Sequence, residues 1–232
     1  TENKEVKQKI INLIKEQNPD VICFQEYYYD KSNEFITRDL IINELGYPYY
    51  HESFSDESKN NSYFGLATFS KFPIINKENI QFQNDNSNQC IWSDINIGYD
   101  TLRIFNTHLG SIRFNHSDYN IIGGKGSPIW PNEKVPKQDI FNRLKLGFSK
   151  RAEQIAQISP IIKNSPHKKV MCCDLNDTPI SFAYHKMDQQ LKDAFTYSGF
   201  GMGGTYIGKV PGLRIDYIWH DKELSSINFT TH

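Results

Sequence analysis

The most informative stretch is VMCCDLNDTP, residues 170–179, in which an apolar run typical of a buried strand ends in two polar side chains. Side chains alternate along a strand, so we expect Asp174 and Asn176 to point the same way. The carboxylate can take a proton from water or hold a metal ion, and the amide can donate to a phosphate oxygen without adding negative charge. This pair suits phosphoester hydrolysis, although Asp-x-Asn at a strand end is also common turn chemistry.

The length suits one large or two small globular domains, and the absence of repeats and low-complexity linkers favours one. With 38% hydrophobic residues, a chain of 232 residues can bury a substantial core. Its 26 Lys and Arg nearly balance 27 Asp and Glu, so the whole molecule is no general polyanion binder. Residues 111–151 hold eight basic and three acidic side chains. That stretch either faces a phosphate-bearing substrate or forms a solvated helix face.

The cysteines and the hydropathy pattern favour a soluble intracellular protein. Cys23, Cys172 and Cys173 lie in apolar strand-like runs, which suits a reducing compartment or simple burial rather than a disulfide framework. No apolar run approaches the ~18 residues of a membrane span. We therefore expect a soluble, cytoplasmic domain, and any membrane anchor of the full-length protein would lie outside this sequence.

Helical and strand patterns alternate along the chain. The patterns predict helices over residues 4–17, 36–45, 138–163 and 181–187, and strands over residues 21–24, 65–69, 90–97, 102–107, 169–173 and 214–219. Residues 53–61 and 111–137 are predicted as loops. Helices between strands, together with hairpins, indicate an α/β sandwich with two mixed sheets rather than an all-parallel sheet.

Three more predicted strands end in, or carry, polar side chains that suit phosphate and metal chemistry. Glu26 is the best candidate ligand for Mg²⁺, which prefers carboxylate oxygens and keeps several waters. His108 can bind phosphate as a cation or donate from a neutral ring. Asp216 lies between apolar neighbours and needs a partner, which would be a histidine, a metal or Arg214 on the same strand face. Each also has an ordinary interpretation as a surface Glu, a hydrogen-bonded His or one half of an ion pair.

The motifs form an ordered set that runs along nearly the whole chain. They are ICFQE (22–26), NTHL (106–109), DLNDTP (174–179), GTY (204–206) and RIDYI (214–218). In this order they resemble the endonuclease/exonuclease/phosphatase superfamily, and bacterial members in particular. The superfamily includes deoxyribonucleases, abasic-site endonucleases and sphingomyelinases. The resemblance implies a four-layer α/β/β/α sandwich, in which helices flank two mixed sheets and the strand ends converge around one cation pocket.

The resemblance also implies roles for the candidate residues. Glu26 would hold a catalytic Mg²⁺ or Mn²⁺ ion. Asp174 would orient or deprotonate the attacking water, and Asn176 would donate to the phosphoryl oxygens. His108 would hydrogen-bond the scissile phosphate.

Three further residues have roles that follow from the same resemblance. Asp216 would brace a C-terminal histidine, while Arg113 and Tyr206 would contact the substrate.

The sequence has neither the opening strand with a metal-side Asn nor the closing Ser-Asp-His motif of the family, and His232 does not match that motif. We expect a single domain over residues 1–232 that lacks its first strand and its C-terminal Asp-His motif, and is weakly active or inactive alone.

The leading functional interpretation is a divalent-metal-dependent phosphoester hydrolase. We expect a phosphodiesterase of nuclease type that uses metal-assisted in-line attack of water. One alternative is a phosphatase or phospholipase-type hydrolase on the same fold, and another is a non-catalytic binding domain. The expected partner is a phosphoester substrate, with nucleic acid among the candidates. We expect a monomer without an obligate protein partner.

Overall fold

The computed structural model describes residues 2–30, 32, 34–57, 62–83, 85–112, 137–208 and 212–232. Its helices are α1 (Glu2–Gln17), α2 (Arg38–Asn43), α3 (Lys137–Lys163), α4 (Phe182–Asp188) and α5 (Ala194–Ser198). Its strands are β1 (Val21–Tyr29), β2 (Tyr49–Glu57), β3 (Tyr63–Ser70), β4 (Ile74–Gln81), β5 (Gln89–Asn96), β6 (Thr101–His108), β7 (Lys168–Asp174), β8 (Lys192–Asp193) and β9 (Asp216–His220). The described strands belong to two sheets, of three and six strands, and the predicted α/β class with two sheets is confirmed.

The chain divides into two compact units. The first comprises Thr1–His108 with Asn164–Cys173, and the second comprises Leu109–Lys163 with Asp174–His232. The prediction of a single domain stays a prediction. None of the helices in the described part of the chain combines the length and the apolar character that crossing a membrane needs.

The first unit contains two sheets packed face to face. One has the strand order β1-β3-β2 with antiparallel pairs, and the other contains β4, β5, β6 and β7 in that order. An apolar cluster that includes Tyr27, Ile41, Tyr47 and Phe69 covers the outer side of the three-stranded sheet, and Ile14 of α1 packs into it. Apolar residues at helical spacing therefore place α1 against that sheet.

Buried polar side chains form a hydrogen-bonded layer in the space between the two sheets of the first unit. His51 of β2 pairs with Ser93 at 3.0 Å and with Asn79 at 2.6 Å through its two ring nitrogens. Burial lowers the pKa of His51, so the ring is neutral at pH 7. Ser53 of β2 and Gln89 of β5 exchange hydrogen bonds of 2.7 Å. Hydrogen bonds between side chains therefore join β2 to β4 and β5.

Asn106 of β6 connects the two sheets at the centre of this polar layer. Its fully buried amide nitrogen donates to the carbonyl oxygens of Phe24 at 3.2 Å and Ala67 at 3.0 Å, and to Thr68 Oγ1 at 3.3 Å. Its oxygen accepts a 2.7 Å hydrogen bond from Gln25 Nε2. One side chain thus links β6 to both β1 and β3.

Three of the described strands, β2, β4 and the two-residue β8, were not predicted from the sequence, and the two long ones lack the expected apolar pattern. The predicted loop over residues 53–61 is wrong for residues 53–57, which belong to β2, and no strand was predicted at β4. In β2 the residues that face the other sheet are His51 and Ser53, so the usual apolar alternation is missing. β4 lies at a sheet edge and most of its residues are exposed, so it has no apolar run.

Two thiols meet on facing strands of the first unit. Cys23 of β1 and Cys172 of β7 are both partly exposed, and a hydrogen bond joins their side chains. That bond, followed by burial, raises the pKa of Cys23, whereas the same bond lowers the pKa of Cys172 against the opposing effect of burial. Cys90 is fully buried, and burial raises its pKa to about 12.

Replacement of Asn106 by Ala should destabilise the protein, because it leaves buried carbonyl groups of β1 and β3 without their donor. We expect the free energy of unfolding to fall by about 2 to 4 kcal/mol in urea titrations. Asn12 of α1 is exposed, so Asn12→Ala serves as the control and should stay within about 0.5 kcal/mol of wild type. Equal stability of the two variants would contradict the bridging role of Asn106.

Alkylation of the native protein should follow the order of the thiol pKa values, because the thiolate is the nucleophile. At pH 8 we expect Cys172 to react with iodoacetamide first, Cys23 more slowly and Cys90 last, as measured by initial rates from mass spectrometry. In denaturant the three rates should converge. If Cys23 of the native protein reacts faster than Cys172, the shared hydrogen bond does not raise the pKa of Cys23 and lower that of Cys172, and the assignment above is wrong.

Candidate active site

The turn after β7, in the second unit, brings Asp174 and Asn176 together. The backbone N–H of Asn176 donates to Asp174 Oδ1 at 2.9 Å, which forms an Asx-type turn. Asn176 has a φ of 52°, in the left-handed region that Asn tolerates better than most residues. The sequence motif therefore specifies a local turn that holds a carboxylate beside a carboxamide.

Leu109, directly after β6, is hydrogen-bonded to the backbone of Asp174 and to the side-chain amide of Asn176. Its N–H donates to the carbonyl oxygen of Asp174 at 2.9 Å, and its own carbonyl oxygen accepts a 2.9 Å hydrogen bond from Asn176 Nδ2. Because a carbonyl oxygen only accepts hydrogen bonds, the side-chain atom of Asn176 that faces Leu109 is the amide nitrogen. This hydrogen bond occupies one of the two N–H groups of the amide. The second N–H has no partner among the described residues and can donate to a substrate oxygen.

A buried layer behind this turn was missed by the sequence analysis. Arg151 Nε donates to Asp177 Oδ2 at 2.8 Å, and Tyr217 Oη donates to the carbonyl oxygen of Asp177 at 2.9 Å. Burial raises the pKa of Tyr217 well above its usual range, so its hydroxyl keeps its proton. A signal for Arg151 exists in the sequence, because it lies three residues after Phe148 and four before Ile155, on the apolar face of α3.

Thr205 supports the start of β9. Its Oγ1 accepts hydrogen bonds from the N–H groups of Ile215 and Asp216, at 3.1 and 3.0 Å. The N–H groups of Thr205 and of the half-buried Tyr206 both donate to the carbonyl oxygen of Leu213 at 3.0 Å. The glycine-rich segment before residue 205 therefore leads into a backbone pairing that positions Asp216 and Tyr206.

The structure corrects two predictions about Asp216. It is the first residue of β9 rather than the middle of a strand that begins at residue 214. Arg214 is not its partner, because Arg214 Nη1 donates to Asp193 Oδ2 at 2.6 Å, and both of these side chains are buried. Asp193 also caps the N-terminus of α5, so the arginine serves a structural ion pair.

Glu26, in the first unit, lies at a strained irregularity of β1. Between the pairs Phe24–Ala67 and Tyr27–Gly65, two residues of β1 oppose one residue of β3, which is a β-bulge. Glu26 has a φ of 55°, a conformation that costs a non-glycine residue about 1 to 2 kcal/mol. Such strain is typical of functional positions.

The bulge presents the Glu26 carboxylate to solvent. The side chain is exposed and has no hydrogen-bond or ion-pair partner among the described residues. It lines a cavity of about 330 Å³ between α1, β1 and residues 34–36. The carboxylate is therefore available to a ligand.

The remaining predicted residues have different outcomes. His108 is the last residue of β6, pairs in register with Gln89 of β5 and is 6% exposed. Arg113 and much of the basic stretch 111–151 lie outside the described residues. Within the described part of the chain, no three His, Cys, Asp or Glu side chains form a metal-binding group. The expected convergence of Glu26 and His108 with Asp174 and Asn176 stays a prediction.

Replacement of Glu26 by Gly should not destabilise the protein, because glycine adopts a positive φ without the penalty that Glu bears. Glu78→Gly in β4 is the matched control, since Glu78 is exposed in a strand without a positive φ. We expect the control to lose about 0.5 to 1 kcal/mol, measured by urea unfolding, and Glu26→Gly to lose none. Equal losses would mean that Glu26 bears no backbone strain.

Solved structures of other proteins share this fold. An endonuclease/exonuclease/phosphatase family protein from Leptotrichia buccalis is 19% identical, with 98% of this chain and 85% of that chain covered and a TM-score of 0.64. The human Nocturnin catalytic domain is 18% identical, with 95% and 75% covered and a TM-score of 0.61. Sphingomyelinase C from Streptomyces griseocarneus is 19% identical, with 95% and 77% covered and a TM-score of 0.61.

One of two sequence comparisons found a match. No curated protein sequence matches the chain. The model of the endonuclease/exonuclease/phosphatase family matches residues 1–232, which is the whole chain. The chain therefore belongs to the endonuclease/exonuclease/phosphatase family, whose hydrolases act on phosphoesters.

Proposed function

We propose that the protein is a divalent-metal-dependent phosphodiesterase of nuclease type. Water would attack the phosphorus atom in line with the leaving oxygen, and polar groups of the protein would stabilise the negative charge that builds on the phosphoryl oxygens. The family supports phosphoester hydrolysis in general. The proposal goes beyond the general activity of the family in two respects, which are nuclease activity and dependence on a divalent metal.

The turn at residues 174–176 carries the proposal. Asp174 Oδ1 is held by the Asn176 N–H, which orients the carboxylate as a group that can align or deprotonate a water molecule. The Asn176 amide is fixed by the Leu109 carbonyl and retains one N–H for a phosphoryl oxygen. A neutral donor next to a carboxylate base stabilises charge on phosphate without repelling the substrate, as this chemistry requires.

The residues present fit a hard cation such as Mg²⁺ or Mn²⁺. Glu26 offers an exposed carboxylate at the edge of a cavity, without a competing partner among the described residues. A Mg²⁺ ion needs only one or two protein carboxylates, because waters and substrate phosphate complete its shell. Glu26 would hold the ion, which when bound would neutralise charge on the phosphate oxygens.

The other candidate residues keep the roles that the motif resemblance implies. His108 would donate to the scissile phosphate, and Asp216, held at the start of β9, would orient a histidine. Tyr206 and Arg113 would contact the substrate. We favour nucleic acid as that substrate, since the eight basic side chains of residues 111–151 suit a polyphosphate.

Replacement of Asp174 by Asn in the full-length protein should abolish hydrolysis. Asn retains an oxygen that can accept the Asn176 N–H, so the turn should survive while the base and its charge are lost. We expect kcat to fall by about 10²- to 10⁴-fold. The assay would use single- and double-stranded nucleic acid, inositol phosphates and sphingomyelin, each with and without EDTA.

The matched control is Asp188→Asn, because Asp188 is an exposed aspartate at the end of α4. This variant should keep wild-type activity. Full activity of Asp174→Asn would contradict the assignment of Asp174 as the base. Hydrolysis that persists in EDTA would contradict the proposed metal dependence. Cleavage of inositol phosphates or sphingomyelin alone would replace the nuclease proposal with the phosphatase or phospholipase alternative. No hydrolysis of any substrate would favour a binding domain.

A further inference from the structure

Arg151 of α3 is a cation buried behind the turn of residues 174–178. Its side chain has no exposed surface. A buried guanidinium is costly unless opposite charge and hydrogen bonds compensate its desolvation. Arg151 Nε donates to Asp177 Oδ2 at 2.8 Å, and Arg151 Nη1 donates to the carbonyl oxygen of Gly110 at 3.0 Å. The guanidinium also lies 5.2 Å from the ring centroid of Phe148.

These two hydrogen bonds hold two separate segments of the second unit. Asp177 belongs to the turn, and its Oδ1 also accepts the N–H of Thr178 at 3.0 Å. Gly110 belongs to the segment after β6, and its N–H donates to Gln154 Oε1 at 2.9 Å. Since Arg151 and Gln154 are one turn apart on α3, the helix holds both polar groups of the Gly110 backbone.

The segment held by Arg151 is the one that orients the candidate catalytic groups. Leu109 precedes Gly110 and is hydrogen-bonded to the Asp174 carbonyl and to the Asn176 amide, both at 2.9 Å. A shift of Gly110 would therefore move the acceptor that fixes the Asn176 amide. A shift of Asp177 would move the same turn from its other side.

We propose that Arg151 is a positioning residue that holds Asp174 and Asn176 in the geometry needed for hydrolysis. It does so by clamping Gly110 and Asp177 to α3 with the two sides of one planar guanidinium. The catalytic consequence rests on the proposed phosphodiesterase function, whereas the clamp itself does not. Lysine cannot replace the clamp, because an ammonium group is a point charge without the fixed fork of donors.

Arg151→Lys in the full-length protein tests the proposal. Displacement of catalytic groups by about 1 Å can cost about 10²-fold in rate. We expect kcat on the hydrolysed substrate to fall at least about tenfold while KM changes less than about twofold. We also expect hydrogen exchange at the Leu109 and Asn176 amides to rise at least about tenfold, because the clamp that limits their opening is weakened.

Arg103→Lys is the matched control for a merely structural effect. Arg103 is also a buried arginine, and its Nε and Nη2 donate to Asp94 at 2.7 and 2.8 Å in the first unit. This variant should lower the melting temperature but leave kcat and exchange at Leu109 and Asn176 unchanged. Equal kcat losses in the two variants, or unchanged exchange at these amides in Arg151→Lys, would overturn the proposal.

Asp177→Asn is the second variant, to be used if Arg151→Lys does not fold. It removes the charge of the pair but keeps an oxygen that can accept hydrogen bonds, so a smaller loss of kcat and a smaller rise in exchange are expected. Wild-type kcat and exchange in this variant would contradict the clamp. If the wild-type protein hydrolyses no phosphoester, the proposed function fails, and the exchange comparison alone then confirms or overturns the clamp.

Discussion

Hydrogen bonding of carboxamide side chains to the backbone of distant segments is the constraint on which both units depend. In the first unit, the Asn106 amide reaches the backbone of two strands in the facing sheet. In the second unit, the Asn176 amide reaches the backbone of Leu109. A carboxamide has both donors and an acceptor, so it can join backbone segments that are not paired as strands. The fully buried Asn106 amide would be costly to leave without partners, which makes the arrangement of the two sheets of the first unit specific.

Two of the four non-glycine residues with positive φ in the described part of the chain are candidate functional residues, and the other two are Asn18 and Asn228. Glu26 and Asn176 both have positive φ values, and they are the residues proposed to hold the cation and to donate to phosphate. Asn tolerates this conformation and Glu does not, so the pairing of β1 with β3 on both sides of the bulge must hold Glu26 in place. This strained bulge fits a site in which the position of the Glu26 carboxylate matters more for function than the stability of β1.

The hydrophobic pattern predicted the helices and strands that bury apolar side chains at regular spacing. α3 was expected over residues 138–163 and spans Lys137–Lys163, because its apolar residues recur at helical spacing. β2 was missed because its inward side chains are polar and are compensated by partners on β4 and β5. Those partners are far apart in the chain, so no local window of sequence contains the reason that β2 is a strand.

The same distinction holds at the candidate site. Residue order along the chain was sufficient to predict Asp174 and Asn176 as a pair and Glu26 as a candidate cation ligand, because the chemistry of a side chain and its place beside an apolar run are local properties. The bulge at Glu26, the ion pair of Arg214 with Asp193 and the clamp of Arg151 on Gly110 and Asp177 emerged only from the folded structure. These features depend on which distant groups meet in a buried space, where an unpaired charge is costly.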